Sequence, residues 1–283
     1  KNSEALSCYR ELVELAAATG EPASPLLADA RFAYAETLIR AGLAAQQRGQ
    51  SDEAAANFRG ADAQFELLNE DADSPLIDRT LFQQAYVAHQ LEEFTRAADL
   101  HARVSEMPNS TLAGQAMLFA GRDYQLAGDD DRGIQFFRAA IDAGGESTIE
   151  AVHLLARLFL KQDRGRDAFE LTQQWIPVAQ QQQHPAQAEL QMDRADAAWS
   201  VPALRERSVT LYREIADTFR DHRHAARALY NAAFAQLDAG DPAGAIATAG
   251  ELQQRYPDSD FKTDADEVIA DASLLEQQYA DAE

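Results

Sequence analysis

A repeated alternation of small and large residues runs along almost the whole chain. Gly240 and Ala245, near the C-terminal end, stand in the same relative order as Gly128 and Gly133 further upstream. Two antiparallel helices approach closely only where small side chains face each other and a large one fills the adjoining gap. The recurrence of this alternation therefore predicts helix hairpins that stack on one another.

Two positions define each predicted hairpin. A small residue opens the second helix, and a second residue, usually larger, follows four places later on the same helix face. The small residues are Ala5, Ala54, Ala97, Gly133, Ala168, Ser208 and Ala245, and the residues four places later are Tyr9, Phe58, His101, Phe137, Thr172, Tyr212 and Ala249. In the first helices the small place is taken by Gly42, Ala85, Gly121, Ala156 and Ala233. The fifth full unit has Asp196 there, so the repeat pattern does not fix the register of that unit.

Turn residues separate the two helices of each hairpin. They recur at intervals of about 35 to 43 residues, as expected for natural, unequal repeats, and they are Gly49, Glu92, Gly128, Asp163, Ala203 and Gly240. Apolar residues between the turns follow helical spacing, as in Leu211, Ile215 and Phe219, and no segment alternates as a strand does. The chain is therefore predicted to be all-α.

This pattern resembles the tetratricopeptide repeat (TPR), a helix-turn-helix unit with small and large residues at fixed places. The resemblance is clearest in the units centred on Gly128 and Gly240 and weakest at Ala203. It implies a right-handed superhelical α-solenoid of antiparallel helix hairpins. Residues 1–283 would form one solenoid domain of about six units, starting with half a hairpin at 3–18 and ending with a capping helix at 261–280.

The resemblance also implies that the first helices line a concave groove where a peptide docks. Carried over to this chain, the groove residues are Phe82, Tyr86, His89, Arg122, His153, Arg157, Tyr230 and Phe234. Arginine with aromatic side chains is the combination that binding hot spots favour. Arg122 and Arg157 could together hold a carboxylate from an acidic side chain or a peptide C-terminus. The alternative is that both arginines pair with acids of the protein and the aromatic side chains pack inside.

Charge and hydropathy exclude several classes of partner. The chain has 25 Lys and Arg against 47 Asp and Glu, a formal charge of −22, which repels phosphate backbones and anionic membranes. We therefore expect no nucleic-acid partner. No run of 18 apolar residues is present, so we also expect no membrane insertion. Cys8 is the only cysteine, which excludes an intramolecular disulfide, and it is predicted to be a buried or partly buried structural residue.

The sequence contains no convincing catalytic or metal-binding pattern. Asp129, Asp130 and Asp131 are consecutive, whereas a calcium loop alternates its ligands, so we interpret them as capping residues after Gly128. His222 and His224 are two residues apart and are predicted to face different sides of a helix. Nucleophile-elbow, P-loop and dinucleotide patterns are absent. We therefore predict a non-catalytic protein without cofactor or metal.

The leading functional hypothesis is an interaction scaffold that binds a peptide or protein segment as part of a larger protein or assembly. Two alternatives remain open: a sensor or regulatory module of a longer chain, and a toroid of helical hairpins that hydrolyses a sugar polymer with paired carboxylates. Because the chain opens with KNSEAL and no initiator methionine, we expect it to be cut from something longer.

The last quarter of the chain carries a narrower resemblance. The segment LYREIADTF, followed by RALYNAAFAQLDAGDPAGAIATAGELQQRYPDSDFKTDA, is similar to bacterial envelope TPR proteins, namely the Tol–Pal-associated coordinator and the barrel-assembly lipoprotein. This resemblance implies a bacterial protein that faces the periplasm, and it favours the cell envelope over the cytoplasm.

Overall fold

A computed structural model describes residues 2–18, 25–71 and 74–282 of the chain, and this part is helical without any β-strand. The all-α prediction is thus confirmed. The helices are α1 (Asn2–Ala18), α2 (Pro25–Gln47), α3 (Ser51–Leu68), α4 (Ile77–Gln90), α5 (Phe94–Ser105), α6 (Ala113–Leu126), α7 (Asp130–Ala143), α8 (Thr148–Lys161), α9 (Gly165–Gln181), α10 (Gln187–Ser200), α11 (Arg205–Thr218), α12 (His224–Asp238), α13 (Pro242–Arg255) and α14 (Lys262–Ala282).

The helices pair into hairpins in the predicted order. The pairs are α2–α3, α4–α5, α6–α7, α8–α9, α10–α11 and α12–α13, with α1 packed on α2 and α14 packed on α12 and α13. The hairpins form two compact units, unit 1 up to Ser147 and unit 2 from Thr148 onwards. Helix α1 coincides with the predicted half hairpin at 3–18, and α14 with the predicted capping helix at 261–280. That all 283 residues form one domain stays a prediction.

Left-handed backbone at the predicted turns explains where the helices end. Gly49, Gly128 and Gly240 have φ values of 74°, 84° and 76°, and Glu92 and Asp163 have φ values of 61° and 58°. Glycine takes this conformation at almost no steric cost, which is why it recurs at these turns. The remaining predicted turn residue, Ala203, also separates two helices, but it lies in a short 3-10 helix at Pro202–Leu204.

Glycines in the first helices let the two helices of a hairpin approach closely. A Cβ atom added at Gly42 would lie 2.7 Å from the ring of Phe58, and one added at Gly121 would lie 2.6 Å from the ring of Phe137. Both phenylalanine side chains are at most 1% exposed. The predicted small–large contact is therefore a real close approach of ring and backbone.

No helix in the described part of the chain is both long and apolar enough to span a bilayer.

Candidate functional site

All eight predicted groove residues lie on first helices of hairpins. Unit 1 contains Phe82, Tyr86 and His89 on α4 and Arg122 on α6, and unit 2 contains His153 and Arg157 on α8 and Tyr230 and Phe234 on α12. The two arginines thus belong to different compact units. That they hold one carboxylate together stays a prediction.

In unit 1 the predicted residue Phe82 is part of a ring cluster with His101 and Phe119. Its ring centroid lies 5.1 Å from that of His101 and 5.7 Å from that of Phe119. The guanidinium of Arg122 lies 5.7 Å from the Phe119 ring centroid, a cation–π contact. Tyr86 is half-buried, and burial raises the pKa of its hydroxyl. The alternative interpretation, in which the aromatic side chains pack inside, therefore holds in part, because Phe82 packs against the core of unit 1.

A buried carboxylate between two histidines lies under this cluster. Asp123, on α6, is 2% exposed. His89 Nδ1 lies 2.6 Å from Asp123 Oδ1 and donates to it, while His101 Nδ1 lies 2.9 Å from Oδ2 and donates there. His101 is itself 3% exposed. His89 is thus tied to the protein interior, a role that its place in the repeat did not predict.

A second histidine–carboxylate pair lies in unit 2. His153 Nδ1, on α8, donates to Asp193 Oδ2 on α10 at 2.5 Å, and Asp193 is 2% exposed. Burial lowers the pKa of His153, but the hydrogen bond and the charge of Asp193 more than offset it, so the pKa is raised above its usual value. Asp193 was missed at the sequence level. Asp193 stands three places before Asp196, just as His153 stands three places before Ala156 in the preceding unit. The two residues therefore occupy equivalent places in successive repeats.

Asp196, the acid at the small place of the fifth unit, is a hub of hydrogen bonds and ion pairs. Tyr212, four places after Ser208 on the second helix, donates its hydroxyl to Asp196 Oδ1 at 2.7 Å. Arg227 Nη2 lies 3.0 Å from Oδ2, and Arg157 Nη1 lies 3.7 Å from it. A hydrogen bond thus replaces the close packing seen at Gly121. This settles the register of the fifth unit.

Arg157 pairs with an acid of the protein, Asp196, as the alternative interpretation expected. The guanidinium of Arg157 is 50% exposed and its contact with Asp196 is long, at 3.7 Å. Exposed pairs of this kind contribute about 0–1 kcal/mol. Arg157 can therefore exchange Asp196 for the carboxylate of a ligand at little cost.

These residues lie along a surface of unit 2 that we call the first-helix face. It is built by α8, α10 and α12. Arg157 and Phe234 are exposed on it, His153, Asp196 and Tyr230 are partly buried in it, and Asp193 lies buried beneath it. Phe234 is 44% exposed, which is unusual for a phenylalanine. The face therefore presents an exposed arginine and an exposed aromatic ring on a scaffold of buried polar pairs.

An aromatic row extends this face. The Phe234 ring lies 5.8 Å from Trp199 and 6.3 Å from Tyr230, and Tyr230 stacks on Phe261 at 5.5 Å with an interplanar angle of 23°. We use the name aromatic row for these four residues, Trp199, Phe234, Tyr230 and Phe261. Trp199 and Phe261 were not predicted. Trp199 stands three places after Asp196. Because the register of the fifth unit was uncertain, its position in the repeat could not be assigned.

The His153–Asp193 pair predicts a pH-dependent stability. A histidine whose pKa is raised by folding contributes stability that is complete below its unfolded pKa of about 6.5 and is lost as the pH rises through the folded pKa. We expect Asp193→Asn to lower the urea-unfolding midpoint more at about pH 5.5 than at about pH 8.5. Equal losses at both pH values would show that Asp193 does not hold a protonated His153.

The acidic run of Asp129, Asp130 and Asp131 has the predicted capping role. The Asp129 carboxylate accepts a hydrogen bond from the backbone N–H of Arg132 at 3.0 Å, which lowers the pKa of Asp129. Asp130 and Asp131 lie in the first turn of α7, where the helix dipole favours negative charge. Helix capping thus accounts for all three residues.

Two predictions about single side chains are wrong. Cys8 is exposed, because α1 turns Leu6 towards the core of unit 1 and Cys8 away from it. His222 and His224 do not point apart, since His222 lies in the turn before α12 and the two ring centroids are 5.0 Å apart. Both Nε2 atoms lie within 3.8 Å of Glu189 Oε1. Within the described ranges, no group of three His, Cys, Asp or Glu side chains is arranged to hold a metal ion.

Comparison with known proteins identifies the fold. No protein-family model matches the chain. No curated protein matches it either. Among solved structures, the C-terminal part of a TPR repeat-containing protein from Cytophaga hutchinsonii superposes with a TM-score of 0.66 at 11% identity, covering 93% of this chain and 94% of that one.

Two further solved structures have the same architecture. PilF of Pseudomonas aeruginosa gives a TM-score of 0.51 at 17% identity and covers 89% of this chain and 99% of that one. YrrB, described as a TPR protein with an unusual peptide-binding site, gives 0.52 at 16% identity and covers 71% of this chain and 96% of that one. At these identities the similarity establishes a shared fold.

Proposed function

This chain has the tetratricopeptide-repeat fold, and we propose that it is a non-catalytic interaction scaffold whose first-helix face binds a peptide or protein segment. The observation that carries the proposal is the joint exposure of Arg157 and Phe234 on first helices of unit 2. Exposed arginine and aromatic side chains are the residue types that hot spots use. YrrB, a structural neighbour with a described peptide-binding site, supports the same role.

The buried polar pairs suit this role because they hold the face rigid. His153–Asp193 joins α8 to α10, and Arg227–Asp196 joins α12 to α10. A preformed surface loses little entropy when a ligand binds, which increases affinity. These contacts therefore connect helices α8, α10 and α12 beneath the exposed side chains of Arg157 and Phe234.

The ligand group that we assign to Arg157 is a carboxylate, from an acidic side chain or a peptide C-terminus. An arginine fork binds a carboxylate through two parallel hydrogen bonds, which the long single contact with Asp196 does not provide. Arg122 on α6 is assigned the same ligand group in unit 1. The two arginines are best tested singly, since they lie in different compact units.

Selection of peptides from a displayed random library, followed by isothermal titration, tests the proposal. We expect Arg157→Ala and Phe234→Ala each to weaken binding of the selected peptides about tenfold or more, in line with hot-spot residues. Arg166→Ala is the matched control, because Arg166 is an exposed arginine on the second helix α9. Equal affinities for wild type, Arg157→Ala and Phe234→Ala would refute binding at this face.

The expected bacterial envelope location stays a prediction. Fractionation of cells that produce the protein would test it, with periplasmic recovery as the expected result and cytoplasmic recovery as the contradicting one.

A further inference from the structure

The aromatic row of unit 2 lies among carboxylates. The segment from 260 to 267 carries four acids against one lysine, Lys262. Two of these acids, Asp264 and Glu267, follow Phe261, whose ring stacks on Tyr230 at 5.5 Å. Burial raises the pKa of the Tyr230 hydroxyl, and the charges of Asp264 and Glu267 add to this effect. Glu267 is exposed. The row thus combines the faces of aromatic rings with a local excess of negative charge.

One cation of the protein is already bound to this row. The guanidinium of Arg205 lies 4.9 Å from the Trp199 ring centroid, and its Nη1 lies 3.4 Å from Asp238 Oδ2. Arg205 therefore makes a cation–π contact and an ion pair at the same time. Phe234 is the neighbouring ring in the row and the most exposed large side chain of it. It offers an incoming cation the same kind of ring face.

Resting on the proposed function, we infer that the aromatic row receives a segment of a partner polypeptide that carries arginine or lysine. The cation stacks on Phe234 and pairs with Asp264 and Glu267, while its aliphatic stem lies on the rings. Charge complementarity selects this occupant, because an acidic segment would meet the carboxylates of the row and of a chain whose formal charge is −22. Arg157 on α8 attracts a carboxylate, whereas the aromatic row attracts a cation. A peptide that carries one acidic and one basic side chain would therefore bind the first-helix face in a single orientation.

Two fluorescein-labelled peptides of equal length provide the probe, acetyl-GRLGRLG-amide and acetyl-GELGELG-amide. Fluorescence anisotropy at low salt is expected to show the basic peptide binding at least about tenfold more tightly than the acidic one. Phe234→Ala is expected to weaken binding of the basic peptide by about tenfold. Because Phe234 is exposed, this variant should keep the circular dichroism spectrum of the wild type.

A charge-matched pair of variants separates local contact from the general field of an acidic protein. Asp264→Asn with Glu267→Gln removes two charges beside the row, and Asp52→Asn with Glu53→Gln removes two exposed charges from α3 in unit 1. The first double variant should weaken the basic peptide several-fold more than the second. Equal losses would overturn the inference, because only net charge would then matter.

Failure of this inference can be told apart from failure of the proposed function. Library-selected peptides that lack arginine and lysine but lose affinity with Phe234→Ala would leave peptide binding at the face intact and overturn the basic partner. Tighter binding of the acidic peptide would do the same. Selected peptides that are insensitive to both Phe234→Ala and Arg157→Ala would overturn the proposed function as well.

Discussion

Replacing Asp123 with alanine is expected to lower the free energy of unfolding by at least about 1–3 kcal/mol, the usual cost of leaving a buried hydrogen-bond donor without its acceptor. Asp123 accepts hydrogen bonds from His89 and His101, and Asp123 and His101 are both almost fully buried. The alanine variant leaves two imidazole N–H groups without their acceptor and opens a cavity. Urea unfolding followed by circular dichroism measures the loss.

An exposed aspartate provides the control for this experiment. Asp142 lies near the end of α7 and is exposed, so Asp142→Ala should change stability by no more than about 0.5 kcal/mol. Asp123→Asn should fall between wild type and Asp123→Ala, because the amide oxygen still accepts a hydrogen bond but carries no charge. If Asp123→Ala matched the Asp142→Ala control, the buried network would not stabilise unit 1.

Gly121→Ala is expected to destabilise the chain by about 1–3 kcal/mol, the usual cost of overpacking a well-packed core. The added Cβ would lie 2.6 Å from the Phe137 ring, which is fully buried and cannot move aside freely. Alanine normally stabilises a helix relative to glycine by about 1 kcal/mol, so the sign of the effect is diagnostic. Thermal or urea unfolding gives that sign directly.

Gly250→Ala is the matched substitution, since a Cβ atom at Gly250 in α13 would have no neighbour within 4 Å. It should stabilise the chain by up to about 1 kcal/mol. In a Phe137→Ala background, Gly121→Ala should become neutral or stabilising, because the clashing ring is gone. Destabilisation by Gly121→Ala that persists without Phe137 would contradict close helix packing at this place.

The fold could be predicted from the sequence because its determinants are local. Gly49, Gly128 and Gly240 mark helix ends through a left-handed conformation that glycine adopts most cheaply. Helical spacing and the small–large alternation are likewise visible within one unit. Glu92 and Asp163 take the same conformation without being glycine, and their position in the repeat was what predicted them.

The polar part of the site could not be predicted because its partners are distant in the chain. His153 and Asp193 are 40 residues apart, and His89 and Asp123 are 34 apart. Repeat position predicts which helix face a residue occupies, but it does not predict which side chain of the next repeat will meet it. His89 and His153 were therefore placed on the correct helices, whereas their roles as donors to buried carboxylates were missed.

The contacts of Asp196 could not be predicted either, because the register of the fifth unit was uncertain. An acid at a small-residue place conflicted with the repeat pattern, so the fifth unit contributed no predicted groove residue. The structure resolves the conflict, because Tyr212 and Arg227 both bind that carboxylate. A charged residue at a packing position was thus a signal for a compensating hydrogen-bond donor on the facing helices.

The most direct test of binding at the first-helix face is hydrogen–deuterium exchange with and without a library-selected peptide. Backbone amides that gain protection report the elements that a ligand stabilises. Binding at this face predicts slower exchange in α8, α10 and α12, with little change in the second helices α9, α11 and α13. Protection confined to α9, α11 and α13 would contradict it.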